Sequence, residues 1–231
     1  MRTLGIVGGL GPESTIDYYR SIIARFRARK LGAGYPQVII NSLDVDKVIG
    51  MLDAGRLDEL ADYLVGGVEV LARAGAGFGA IAANTPHIVF DEVQRRSAIP
   101  LLSIVRATCG YAKALGLKRV GLFGTGFTMR ASFYTEEFER AGIAMVVPRE
   151  AERELIHRKY IGELLKNQFL PESRNEILRI AERMKNEEHV EAIVLAGTEL
   201  PLLLREVGAA DIKFLDTTVI HVEAIVDGLL A

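Results

Sequence analysis

The chain has one cysteine, Cys109, in 231 residues. A single thiol excludes an internal disulfide and with it the disulfide-framed secreted domains. No apolar run approaches the roughly 20 residues that a membrane helix needs. Neither sign of charge dominates: the net charge is −2, which gives no electrostatic reason to expect a nucleic-acid partner. The densest basic run, Arg25 to Lys30, falls late in an expected helix and reads as a solvated face with favourable helix-end charge. The chain enters a strand pattern almost at once, so no signal peptide is expected and the default location is cytoplasmic. The four histidines, His87, His157, His189 and His221, are not at the i, i+4 spacing of helical metal ligands. A phosphate loop and a nucleophile elbow are both absent from the sequence. No metal or cofactor is therefore expected. There is also no Pro/Gly-rich linker, so domain boundaries have to come from topology.

What is present is an alternation of apolar, β-branched runs with longer amphipathic stretches. Strands are expected over 3–7, 37–42, 78–83, 101–105, 119–123, 144–147, 192–196 and 213–215. Helices are expected over 14–30, 56–74, 107–115, 128–141, 153–167 and 174–185. Runs that stay apolar without alternating suit strands buried on both faces, so the fold class is α/β with parallel sheets flanked by helices. A weak internal repeat supports two similar lobes. Gly5-Ile6-Val7-Gly8-Gly9 and Val120-Gly121-Leu122-Phe123-Gly124 each end a strand in glycine before a helix. Asn84-Thr85 and Gly197-Thr198 form a second matched pair. The lobes would be about 1–99 and 100–212.

Five strand ends carry groups that could meet a ligand. Gly8-Gly9-Leu10-Gly11-Pro12 follows the first strand and opens a helix. Glycine allows a sharp turn and close backbone approach, and the helix start offers free N–H groups to an anion. The spacing is not that of a dinucleotide loop, and a capped strand–helix turn explains it equally well. Asn84 and Thr85 offer an amide and a hydroxyl to a carboxylate, or else cap the next helix. Thr198 and Thr125 present the same choice. Lys47 could supply a point charge but not a bidentate fork; the plain alternative is an exposed lysine. Cys109, in a helical segment, reads as a small buried hydrophobe.

The Gly-Gly-x-Gly-Pro loop, Asn84-Thr85-Pro86-His87, Leu122-Phe123-Gly124-Thr125, Thr198-Glu199-Leu200-Pro201 and Asp216-Thr217-Thr218 together resemble the aspartate/glutamate racemase family. That resemblance spans nearly the whole chain. It implies two α/β lobes related by a pseudo-twofold, an inter-lobe cleft, and a final segment that returns to the first lobe, giving 1–99 plus 213–231 and 100–212. The implied activity is isomerisation at the α-carbon of a small acidic amino acid, without pyridoxal or any other cofactor. The implied substrate-binding residues are Gly9, Leu10, Lys47, Asn84, Thr85, Thr125 and Thr198, and a homodimer fits the family habit.

One departure affects the chemistry. The family strands end in Cys-Asn-Thr and Gly-Cys-Thr-Glu, and the matching cysteine positions here are Ala83 and Gly197. A cofactor-free racemase needs two acid/base groups facing the α-carbon, and thiols serve because their pKa near 8.5 can be tuned towards neutrality. Alanine and glycine carry no proton. Three explanations stay open: an engineered cysteine-free form, a natural member that keeps binding without catalysis, or another proton carrier. His87 and Glu199 are the candidates for the last, although His87 could instead orient its loop or cap a helix, and Glu199 could sit in a helix's first turn for electrostatic reasons. The small residues would also widen the cleft, which suits a bulkier carboxylate or a lyase or decarboxylase reaction needing one acid.

Overall fold

The computed structural model describes residues 2–29, 34–204 and 212–231. Lys30, the end of the basic run and of the first expected helix, lies outside them. The chain divides into two units, Met1–Ala107 with Thr218–Ala231, and Thr108–Thr217. Each holds a four-stranded parallel sheet.

In the first unit the strands are β1 (Leu4–Gly8), β2 (Val38–Ser42), β3 (Phe78–Ile81) and β4 (Leu101–Leu102), in the order β2-β1-β3-β4. β1 and β3 are buried at every residue, while the edge strand β2 is not. Helices α1 (Pro12–Arg29), α2 (Val45–Asp53), α3 (Leu57–Arg73) and α4 (Phe90–Arg96) fill the connections. Tyr18, Ile22 and Phe26 of α1 form one cluster with Leu4, Ile6, Phe78 and Ala80 of the sheet. Each such large apolar side chain contributes about 1.5–3 kcal/mol by leaving water. The same cluster takes Val222, Ile225, Val226 and Leu229 from the last helix of the chain, Thr217–Leu230.

The second unit repeats the strand order. β5 (Arg119–Gly124), β6 (Ala144–Val146), β7 (Ala192–Ala196) and β8 (Lys213–Asp216) run β6-β5-β7-β8. Its helices are α5 (Ile104–Ala114), which begins in the first unit, then α6 (Gly126–Arg130), α7 (Phe133–Arg140), α8 (Glu150–Gly162), α9 (Pro171–Glu188) and α10 (Leu200–Leu204), and the last helix becomes α11. Ile156, Tyr160 and Leu164, at four-residue spacing along and just beyond α8, join Ile177, Ile180 and Met184 of α9 over Phe123, Ile193 and Leu195.

Two boundary expectations are corrected. The strand after residue 100 belongs to the first sheet, where Leu101 and Leu102 pair with Gly79 and Ala80. It stops after two residues because Ser103 starts a helix: its carbonyl accepts from Ala107 N–H (3.0 Å) and its hydroxyl from Arg106 N–H (3.3 Å). The strand near 213 does not return to the first unit; Lys213–Asp216 pairs with Ala192–Leu195, and α11 alone crosses back. His221 fixes that helix within the first unit. Its Nε2 lies 3.0 Å from the Leu102 carbonyl, which can only accept, so Nε2 carries the proton and Nδ1 accepts from the Tyr18 hydroxyl at 3.0 Å. Among the described residues no helix is long and apolar enough to cross a membrane.

The turn after β1 shows why its second glycine is there. Gly9 has φ +76°, and a Cβ on it would stand 2.5 Å from Ser42 Oγ and 2.7 Å from the Leu43 nitrogen. A side chain would therefore meet both backbone strain and the loop after β2. Gly9→Ala is expected to lower the unfolding free energy by about 2–3 kcal/mol, read as an earlier urea midpoint at unchanged slope.

Candidate functional site

The first strand-end cluster lies in the first unit, past β1 and β3. The Gly9 N–H donates to Thr15 Oγ1 (2.9 Å), and Ser14 and Thr15 hydroxyls donate to the Gly11 carbonyl (2.8 and 3.2 Å). The loop is thus closed on itself by the helix it opens, and Leu10 is buried beside it. β3 runs into the buried Ala82 and Ala83, then into a 3₁₀ turn over Thr85–Val89. Asn84 is 3 % exposed and its side chain does not cap that turn, so the capping explanation for this residue is not realised. Thr85 beside it is half-buried.

His87 serves the fold. Its Nε2 accepts the Ile104 N–H at 3.3 Å, which satisfies a donor at the start of α5, and its ring stacks on Phe90 at 4.8 Å. Burial, and then the neighbouring His221, lower its pKa from 6.5 to about 3, against the opposing pull of the Ala83 and Asn84 carbonyls. The imidazole stays neutral with its accepting nitrogen already used. Lys47 is exposed on the first turn of α2, with its Nζ 5.9 Å from the Tyr63 ring centroid, and Tyr63 Oη in turn accepts the Asp44 N–H at 3.0 Å. That placement matches the plain surface reading.

The second strand-end cluster lies in the second unit, past β5 and β7. Thr125 caps α6: its Oγ1 accepts the Thr128 N–H at 3.2 Å and lies 3.1 Å from the Thr128 hydroxyl. The Gly126 N–H donates to His157 Nδ1 at 3.1 Å, which ties the same turn to α8. Past β7, Thr198 and Glu199 are 4 % and 2 % exposed. The Thr198 hydroxyl donates to Glu199 Oε2 at 2.9 Å, and the Tyr160 hydroxyl donates to the same oxygen. Burial first, and then the Glu199 charge, push the Tyr160 phenol well above its ordinary value, so it remains a donor. Cys109 is buried with its Sγ 3.5 Å from the Glu137 carbonyl, and burial raises its pKa, as suits an inert thiol.

The two clusters differ in kind. Asn84 and Thr85 occupy the first together with Ala83; Thr125, Thr198, Glu199 and Gly197 occupy the second. Tyr160 and His157 escaped the sequence reading. Tyr160 falls on an i, i+4, i+8 apolar stripe with Ile156 and Leu164 and reads there as ordinary core. His157 lies on the same helix, and nothing in its spacing points to the Gly126 amide.

A parallel two-unit α/β architecture of this kind is shared with amino-acid racemases of known structure. An aspartate racemase homologue from Pyrococcus horikoshii OT3 is 33% identical, with a TM-score of 0.82 and full coverage of both chains. The aspartate racemase of Picrophilus torridus, at 22% identity, shares the fold with a TM-score of 0.78 over 100% of this chain and 93% of that one. The broad specificity amino-acid racemase RacX of Bacillus subtilis (strain 168) is 24% identical over 242 aligned positions, 99% of this chain and 98% of the relative. The chain belongs to the Asp/Glu/Hydantoin racemase family, whose model matches residues 7–225.

The buried histidines give the protein an acid-sensitive limb. His221 is lowered from 6.5 to about 4, chiefly by burial, and His87 to about 3. Below about pH 6.5 the unfolded chain binds protons that the folded chain refuses, so their contribution is full above that pH and declines towards pH 4. Between pH 7 and pH 5 the expected loss is on the order of 2 kcal/mol per histidine, measured by urea unfolding at each pH. His221→Gln should flatten this slope; an unchanged slope in that variant would show that His221 is not the group responsible.

Proposed function

We propose that this racemase-family chain recognises a small acidic amino acid, or a closely related carboxylate, through the groups at its strand ends, and that the family's two-thiol proton transfer at the α-carbon is disabled. The observation that carries this reading is the chemistry at residues 83 and 197. Both follow a fully buried central strand, β3 or β7, at the positions that the family resemblance pairs with its cysteines, and neither alanine nor glycine has a group that can release or accept a proton. Polar groups stay beside them. Asn84 and Thr85 adjoin Ala83, and Thr198 adjoins Gly197, with Thr125 past the neighbouring strand. An amide or a hydroxyl suits a carboxylate because it donates a hydrogen bond without requiring a charge to be buried unpaired, and the Thr198 hydroxyl would have to turn from Glu199 to do so. No pyridoxal or metal enters this scheme.

The candidate replacement carriers fit poorly. His87 is neutral and hydrogen-bonded to the Ile104 amide. Glu199 receives two hydroxyl donors on one oxygen, from Tyr160 and Thr198, so that oxygen is already engaged within the protein. Recognition without two-sided proton exchange is the reading these contacts favour, over a lyase or decarboxylase working through a single acid.

The test combines binding with isotope exchange. D- and L-aspartate and D- and L-glutamate should raise the melting temperature; at about one hundred times Kd the stabilisation is roughly 2.7 kcal/mol. The α-hydrogen of the same compounds should show no enzyme-dependent exchange in deuterated water. Exchange at a rate comparable to a two-cysteine relative would refute the disabled mechanism. Absence of any thermal response to the four acids would refute the substrate class.

A further inference from the structure

Gly197 lies outside the left-handed region of backbone space, since it is not among the glycines with positive φ. Its lack of a side chain therefore has no conformational cause. The cause is spatial. A Cβ built on Gly197 would stand 3.0 Å from both Cζ and Oη of Tyr160 and closer still to its Cε2. Real Cβ atoms do not approach ring carbons so closely, so the ring or the backbone would have to move. The ring is not free to do so. Tyr160 is 4 % exposed, packed in the cluster with Ile156, Leu164 and Leu200, and its hydroxyl is held by Glu199.

We propose that Tyr160 has taken over the side-chain space of position 197, so that the glycine and the tyrosine form one coupled pair which shuts the thiol position of the second unit. The proposal deepens the reading above and rests on it for the meaning of position 197. Loss of the cysteine at this strand end is then not a simple deletion. The space is filled by an aromatic ring whose hydroxyl holds the Glu199 carboxylate, and that carboxylate also takes the adjacent Thr198 hydroxyl. Position 83 is different in kind. Ala83 already carries a Cβ at the end of β3, so a side chain there starts from a place the fold provides.

The consequence is directional. Gly197→Cys alone meets the ring, whereas the same change beside a smaller residue at 160 does not. Tyr160→Phe separates the two roles of the tyrosine, because it keeps the ring in place and removes the hydroxyl from Glu199.

The experiment is a stability cycle on the full chain with a thiol readout. Gly197→Ala is made in the parent, in Tyr160→Phe and in Tyr160→Leu, and melting temperatures are compared within each background. Overpacking of this kind in a 231-residue chain should lower the melting temperature by roughly 3–8 °C in the first two backgrounds and by under about 2 °C beside leucine. Equal losses in all three would overturn the proposal. Tyr160→Ala stands in if the leucine variant does not fold. In parallel, Gly197→Cys is alkylated with iodoacetamide under native conditions across pH, in parent and Tyr160→Leu backgrounds, with Cys109 replaced by serine in both. The thiol should react at least about tenfold faster beside leucine; equal rates and equal pH profiles would overturn the claim that the ring governs this position. Neither readout uses a ligand. The coupling can therefore fail while acidic amino acids still stabilise the protein, and it can hold while they do not.

Discussion

The hydrogen bond from Tyr160 to Glu199 is the contact on which the chemistry of the second strand end depends. A buried carboxylate is costly unless donors surround it, and here two hydroxyls, from Tyr160 and Thr198, converge on one oxygen. The tyrosine reaches it because α8 packs along β5 and β7 with an unbroken apolar stripe, so the ring lies in the core and only its oxygen is polar. One side chain thus closes the hydrophobic cluster and satisfies the acid. The carboxylate in turn occupies the first residues after β7, where an α/β sheet presents its ligand-facing edge.

The first unit solves the corresponding problem differently. Past β3 the chain turns through a 3₁₀ segment rather than an α-helix, and its buried imidazole spends its acceptor on the start of α5. A second buried imidazole, His221, joins the carbonyl of Leu102 to the hydroxyl of Tyr18. Both rings are polar struts in an apolar setting, neutral because burial opposes their charge. Histidine near a family motif was a reasonable suspect for proton transfer. The surroundings of His87 make it a structural acceptor for the Ile104 N–H, while His221 both donates to a carbonyl and accepts from a phenol.

The sheets were legible in the sequence because their strands are buried on both faces. Runs such as Ala192–Ala196 stay apolar at every position, and that signal survives without tertiary information. The helix α2 was not anticipated, and α4 and α10 were expected only as helix starts after Thr85 and Thr198, without bounds. α2 and α4 are short, and α10, Leu200–Leu204, is five residues of proline and leucine with no polar face to set a period. The stretch 101–105 misled for a related reason: Leu-Leu-Ser-Ile-Val is apolar enough for a strand, yet Ser103 caps a helix within it. At the candidate site the strand-end motifs were visible as sequence. The Tyr160 ring was not, because its partner is 37 residues away and a core-facing aromatic on an amphipathic helix gives no sign of which strand it will touch.

The division of the chain has a bearing on synthesis. Residues 108–217 form one continuous unit, while the other unit draws on both ends of the polypeptide. Val222, Ile225, Val226 and Leu229 complete the cluster that α1 begins over Leu4, Ile6 and Phe78, so the apolar face of β1 and β3 is only partly covered until the helix 217–230 has been made. The middle of the protein can close its own core earlier, because its contacts are nearer in sequence and already present. The first unit is thus begun before the second and finished after it, and for that interval its half-covered strands are the part that a chaperone would have to guard.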